Sequence, residues 1–218
     1  MSDNAVSAEN QQATLWFTRG RFPREAEGES SETIRQTPFT KAEILAYLHG
    51  AMHDASLNKG KRIRFVQVYE ERLKMLQKML KQIGYNSWIY REGKHRNLYA
   101  LETLCKELDF RFNPQRLQGE QERVMYLRGF FDAEGGVPRN QGRFYIQLVQ
   151  KDFAKMASIK NLLVSLDIES GKIHNPSRKV DPDYWRIFIV TKHHRLFANK
   201  IGSWHPIKGK ILAQRMKI

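Results

Sequence analysis

Residues 127–135 read Leu-Arg-Gly-Phe-Phe-Asp-Ala-Glu-Gly, an apolar helical run that ends in the acidic pair Asp132 and Glu134. A carboxylate at a helix C-terminus faces the negative end of the helix dipole, so it needs compensation. A bound cation supplies it, and hard carboxylate oxygens suit Mg²⁺, which also keeps water in its shell. Gly129 lies inside the same run. A helix-interior glycine costs about 1 kcal/mol relative to alanine, and close contact between two helix backbones is one reason to keep it. A weaker copy, Leu-His-Gly-Ala-Met-His-Asp-Ala-Ser, sits 79 positions earlier at residues 48–56 and offers Gly50 and Asp54.

The flanking chain repeats as well. Thr40 and Glu43 form a capping-box pattern and Phe39 can staple to Ile44, so the first helix runs through Ile44, Tyr47, Leu48 and Ala51. The second starts near Gly119 or Glu120 and runs through Val124, Leu127 and Phe131. Each is followed by a strand-like run, 61–69 and 143–150, and then by an amphipathic helix, 70–83 and 151–166. Phe144, Ile146 and Leu148 alternate with Arg143, Tyr145 and Gln147, which predicts one core face and one polar face. Leu73, Leu76, Leu80 and Ile83, and then Phe153, Met156, Ile159 and Leu163, are core stripes. Further strands are expected at 87–91, 97–101, 172–175 and 184–191. Asn-Pro-Gln-Arg at 113–116 answers His-Pro-Ile-Lys at 205–208.

Residues 127–135 resemble the signature of the LAGLIDADG homing endonucleases through Leu127, Gly129 and the ending Asp132, Ala133, Glu134 and Gly135. The weaker copy matches the tandem arrangement of that family's single-chain members. The resemblance implies an α+β fold of two pseudo-symmetric αββαββα repeats, whose antiparallel sheets form a DNA-binding saddle. It covers roughly residues 38–218: a first repeat at 38–117 and a second at 118–218, after an arm at 1–37 that is flexible or partly ordered. It implies Mg²⁺ or another divalent cation held by Asp54 and Glu134, hydrolysis of both DNA strands across the minor groove, and short 3′ overhangs. Gln150 and Lys151 stand where the family often has a Gln-Lys pair. Lys210 is favoured over Lys208 as the active-site lysine, each having an ordinary solvated charge as its alternative. Gly50 and Gly129 are the helix-packing glycines.

The polar sheet face is the expected reader, because a two-stranded ribbon fits the major groove and Arg or Gln can pair with base edges. Arg62, Arg64, Arg143, Tyr145, Gln147 and Arg186 are its candidates, with Lys151 beside them. Lys94, Arg96, Arg178 and Lys179 are placed to hold phosphates, which position without specifying.

Composition agrees. The 218 residues carry 37 Lys and Arg against 23 Asp and Glu, a net charge of +14, which favours a polyanionic partner. The expected partner is double-stranded DNA with a long specific site, bound by a monomer, and the resemblance also allows an intron RNA. A single cysteine, Cys105, rules out an internal disulfide and fits a reducing, intracellular setting where DNA is present. No apolar run approaches a membrane span, and no signal-peptide pattern opens the chain. Residues 1–12 are polar, and 13–37 mix Trp16, Phe17 and Phe22 with Arg19, Arg21 and Arg24.

The first copy departs from the pattern. Asp54 follows Gly50 by four residues, whereas Glu134 follows Gly129 by five. One residue on a helix is a rotation of about 100°. Either the helix unwinds before Asp54, so that Asp54-Ala55-Ser56 matches Glu134-Gly135-Gly136, or Ala51 replaces Gly50 as the contact residue, or the first site is lost. Tyr69 and Glu70 stand in place of the Gln-Lys pair. The departure motivates two alternatives: a nucleic-acid-binding protein without nuclease activity (an intron RNA maturase or a DNA-binding regulator), and a nickase with only the Glu134 side competent. His53, His193 and His194 lack metal spacing and read as surface or interface residues.

Overall fold

The computed structural model describes residues 38–140 and 142–217, so the arm expected at 1–37 lies outside the described residues. Helix α1 (Lys41–Ala51) starts at the predicted capping box: Thr40 N donates to Glu43 Oε2 at 2.9 Å, and Glu43 N donates to Thr40 Oγ1 at 3.2 Å. A 3₁₀ turn (Met52–Asp54) leads into the hairpin β1 (Ala55–Asn58) and β2 (Arg62–Gln67). The β-turn Asn58–Lys61 that joins them has Lys59 and Gly60 at φ of 49° and 67°, the all-positive geometry that matches strand twist. Then come α2 (Glu70–Gln82), β3 (Ser87–Arg91), β4 (Tyr99–Thr103) and a 3₁₀ turn at Pro114–Arg116.

The second half repeats the order with α3 (Glu120–Glu134), β5 (Gly135–Gly136), β6 (Gln147–Gln150), α4 (Phe153–Val164) and β7 (Trp185–Phe188). A 3₁₀ turn (Thr191–His193), α5 (His194–Lys200) and α6 (Pro206–Met216) follow. The sheets are antiparallel, in the orders β1-β2-β4-β3 and β5-β6-β7. This is an α+β fold of two pseudo-symmetric halves. Helices α1 and α3 are buried nearly all round, as the pair at the centre of a molecule must be. The stripes of α2 and α4 close the core, with Leu73, Leu76, Leu80, Met156 and Leu163 fully buried. Among the described residues no helix is long and apolar enough to cross a membrane.

Several expectations need correction. The first half has no closing helix, only the turn at Pro114–Arg116, because α3 already begins at Glu120. The strand expected from Arg143 is regular only from Gln147, and the one at 172–175 is reduced to a bridge between His174 and Arg186. Phe153 is half exposed and packs on Trp185 instead of completing its stripe. His194 is not a surface residue: it is 5% exposed, and its Nε2 lies 3.0 Å from Ile189 O.

Candidate active site at the paired helix ends

The central helices cross at the two glycines. A Cβ on Gly50 would lie 2.7 Å from Phe130 N and closer still to Tyr126 O. A Cβ on Gly129 would lie 2.9 Å from Ala51 N and closer still to Tyr47 O. Each glycine therefore meets the backbone of the opposite helix, so Gly50 is the contact residue and Ala51 need not replace it. Two cross-helix bonds repeat the symmetry. Tyr47 OH donates to Asp132 Oδ2 at 2.6 Å, and His53 Nε2 lies 2.9 Å from Tyr126 OH. Both tyrosines precede their glycine by three residues, and Asp132 and His53 follow theirs by three. Asp132 also accepts from Ser203 Oγ and from Trp204 N. With three donors and 1% exposure it is a structural acid joining the halves.

The 3₁₀ turn repairs the missing residue. Ala51 and Met52 have ψ of −22° and −12°, tighter than an α-helix. From Gly50 to Asp54, one α step and three 3₁₀ steps rotate the chain about 460° and advance it about 7.5 Å. The five α steps from Gly129 to Glu134 rotate it about 500° and advance it about 7.5 Å. The mismatch shrinks from about 100° to about 40°, with no loss of height. β1 then opens at Ala55 and β5 at Gly135, each directly after its acid. Asp54-Ala55-Ser56 thus matches Glu134-Gly135-Gly136.

The strand register identifies a further equivalent pair. Ala55 faces Phe65 and Gly135 faces Leu148, so Gln67 and Gln150, each two residues on, are counterparts. The first half therefore keeps its glutamine at Gln67, not at Tyr69, and Val68 stands where the second half has Lys151. Gln67 Nε2 donates to Asp54 Oδ2 at 2.6 Å. Arg72 Nη1 lies 3.9 Å from the same oxygen; its side chain is 2% exposed, and its Nε has no partner. Gln150 is engaged differently. Its Oε1 accepts from Lys151 N at 2.7 Å, and its Nε2 lies 2.8 Å from His53 Nδ1. This network assigns the His53 proton to Nε2, which donates to Tyr126. Loss of solvent lowers the His53 pKa to about 4, so the ring is neutral at pH 7.

Lys208, rather than the favoured Lys210, reaches the helix ends. Its Nζ donates to Phe131 O and Asp132 O, each at 2.9 Å, and so places an ammonium at the negative end of α3. Burial lowers its pKa to about 8. Lys210 is exposed, about 200° further round α6. Glu134 is raised above the usual carboxylate range by loss of solvent and then by the Asp54 charge, against Lys208, Arg72 and Lys151. Asp54 keeps 45% of its side chain exposed, yet desolvation of the rest is the main influence raising it, against Arg72, Gln67 and Lys208. Among the described residues no cluster of three or more His, Cys, Asp or Glu side chains could hold a metal ion. Two partly desolvated carboxylates fit Mg²⁺, whose remaining positions go to water and substrate phosphates, and do not fit an all-protein zinc cage.

The sheets extend from these acids and carry the expected reading residues. Arg62 and Arg64 lie on one face with Trp88, Tyr90 and Glu102. Tyr145, Gln147, Arg186 and Phe188 cluster in the second half, where Arg186 stacks on Tyr184 at 5.2 Å. Arg143, Lys151, Lys94, Arg96, Arg178 and Lys179 are exposed. Sequence reasoning missed Gln67, Arg72, the bridging His53, and Glu102. The register counted from Asp54 would have found Gln67. Arg72 carries no signal beyond its place one residue before a core leucine.

The LAGLIDADG-like domain model matches residues 44–113 and 121–202, more than half of the chain. Homing endonuclease I-ApeI of Aeropyrum pernix is 25% identical, over 77% of this chain and 85% of the relative. The structure of I-DmoI in complex with DNA and Mn has a TM-score of 0.56 at 20% identity, covering 75% of this chain and 98% of that one. The N-terminal LAGLIDADG domain of DUF199/WhiA has a TM-score of 0.59 at 19% identity, covering 76% and 86%. Both structures share the fold. With the glycine crossing and the paired acids in place, and both halves matched, the chain belongs to the LAGLIDADG-like domain family.

Proposed function

We propose that the protein is a site-specific DNA endonuclease that uses a divalent cation, Mg²⁺ by preference, to cut both strands across the minor groove and leave short 3′ overhangs. The observation that carries this reading is the delivery of Asp54 and Glu134 to equivalent positions at the ends of two touching helices. Asp54 and Glu134 would hold a divalent cation, which when bound would polarise a phosphate and activate a water. Gln67 holds Asp54 in place through its amide. Lys208 supplies an ammonium where negative charge develops, and the Lys151 charge also acts on Glu134, while Gln150 is engaged by His53. The basic sheet faces bind the duplex, with exposed lysines and arginines on phosphates and the strand residues on base edges. I-ApeI is named a homing endonuclease and I-DmoI is described bound to its target DNA, which supports the same substrate here.

Incubation with a large pool of duplex DNA and Mg²⁺ tests the reading. Cutting at a defined site, lost in Glu134→Gln while binding persists, is the expected result. Well-folded protein that binds but never cuts selects the binding-only alternative. A nickase with only the Glu134 side competent is the second reading, favoured by Val68, which stands where the second half has Lys151.

A further inference from the structure

The two reading faces are built on the same register around opposite chemistries. In the first half, Arg64 faces Glu102 across β2 and β4. In the second, Gln147 faces Phe188 across β6 and β7. Glu102 and Phe188 are therefore equivalent centres. Phe188 is surrounded by rings: Tyr145 edge-on at 5.7 Å, His174 stacked at 5.7 Å, and the Arg186 guanidinium at 5.6 Å. Glu102 is surrounded by donors. Asn58 Nδ2 donates at 2.5 Å, Tyr90 OH at 2.8 Å and Arg62 Nη1 at 3.2 Å, while Arg64 Nε lies 4.0 Å away. Tyr90 also accepts from Arg64 Nε at 3.5 Å, and Arg64 Nη2 is held by Glu92 at 2.8 Å.

Glu102 is 2% exposed on the sheet face that carries Arg62 and Arg64. An acid there opposes binding to a polyanion, so a role in nonspecific affinity does not explain it. Its bonds fix the orientation of Arg62, Asn58 and Tyr90 before any ligand arrives, and Tyr90 in turn holds Arg64. A guanidinium held in one orientation loses less freedom on contact and accepts fewer alternative bases. Arg62 also lies over the Trp88 ring at 5.3 Å, which restrains it from a second side.

We propose that Glu102 is a specificity-determining positioning residue: a buried carboxylate that presets the base-reading arginines of the first half and has no counterpart in the second. This rests on the reading of the sheets as the DNA interface. The target is unknown, so the probe is a randomised duplex DNA library, selected for binding in Ca²⁺ by the full chain and by Glu102→Gln. The unsubstituted chain should recover a two-part consensus. Glu102→Gln should relax only the half read by the first sheet, by about tenfold in discrimination, the share of one well-placed arginine contact. The other half serves as an internal control for folding. Removing a negative charge should also tighten binding to nonspecific duplex and steepen its salt dependence, whereas a merely structural loss would weaken both specific and nonspecific binding. Tyr90→Phe, which removes one arm of the network, should relax the same half to a lesser degree. An unchanged consensus, or equal relaxation of both halves, overturns the role of Glu102. Failure of the unsubstituted chain to select any duplex overturns the DNA reading itself, and the proposal with it.

Discussion

The ends of α1 and α3 reach the same result by different local structures. At α3 an unbroken helix carries Glu134 to the first residue of its sheet, five residues after the contact glycine. At α1 the chain is one residue shorter, and a 3₁₀ turn restores the height and most of the rotation. The equivalence is held by what is fixed on either side of each acid: a glycine pressed on the opposite backbone before it, and a strand in register after it. Spacing within the motif is free to vary when both anchors are kept. The supporting side chains vary more. Asp54 has Gln67 and Arg72 directly behind it, whereas the equivalent Gln150 is turned to His53.

The hardest break of this comparison is to remove either acid. Asp54→Asn and Glu134→Gln should each lower cutting by about a thousandfold, the several kcal/mol a cation contributes at the reacting phosphate. Equal losses would confirm that the shorter end is as well placed as the longer. Next comes the crossing itself. Gly50→Ala forces a methyl group against Tyr126 and Phe130 backbone atoms and should destabilise the fold by about 3 kcal/mol, measured by denaturant unfolding. Lys208→Met should slow cutting about a hundredfold, while Lys210→Met should leave it within about twofold, as a solvated surface charge would.

Subtler variants sharpen the difference between the supporting shells. Gln67→Ala should cost about tenfold or more, because Asp54 loses its orienting bond, and Gln150→Ala less. Acid should act on the partly buried histidines. Loss of solvent lowers both His53 and His205 to about 4. Between about 6.5 and that value the unfolded chain binds protons that the folded chain does not, so stability falls as pH falls. The metal-free melting temperature should decline across this window, and less steeply in the His53→Gln, His205→Gln double variant.

The fold was legible wherever pattern is local. The capping box at Thr40 and Glu43, the stripes of α2 and α4, and the strand at Ser87–Arg91 follow from spacing and caps. Glu134 stood out because a carboxylate at a helix end asks for a partner. What sequence did not carry was set by register across the halves. Gln67 is equivalent to Gln150 only once Ala55 and Gly135 are aligned as strand starts. Lys208 and Lys210 differ only in which side of α6 faces the end carbonyls of α3. Likewise Asp132 looks like half of an acidic pair until Tyr47, Ser203 and Trp204 are seen to occupy it.

Strand-resolved cleavage tests the equivalence of the two ends most directly. A duplex recovered from the library, labelled on each strand separately, is cut by the unsubstituted chain in Mg²⁺ and the products are sized. Breaks in both strands, offset to leave short 3′ overhangs and both lost in Asp54→Asn, are expected. A product cut in one strand only, or a double-strand break unchanged by Asp54→Asn, would contradict the placement of Asp54 as the partner of Glu134.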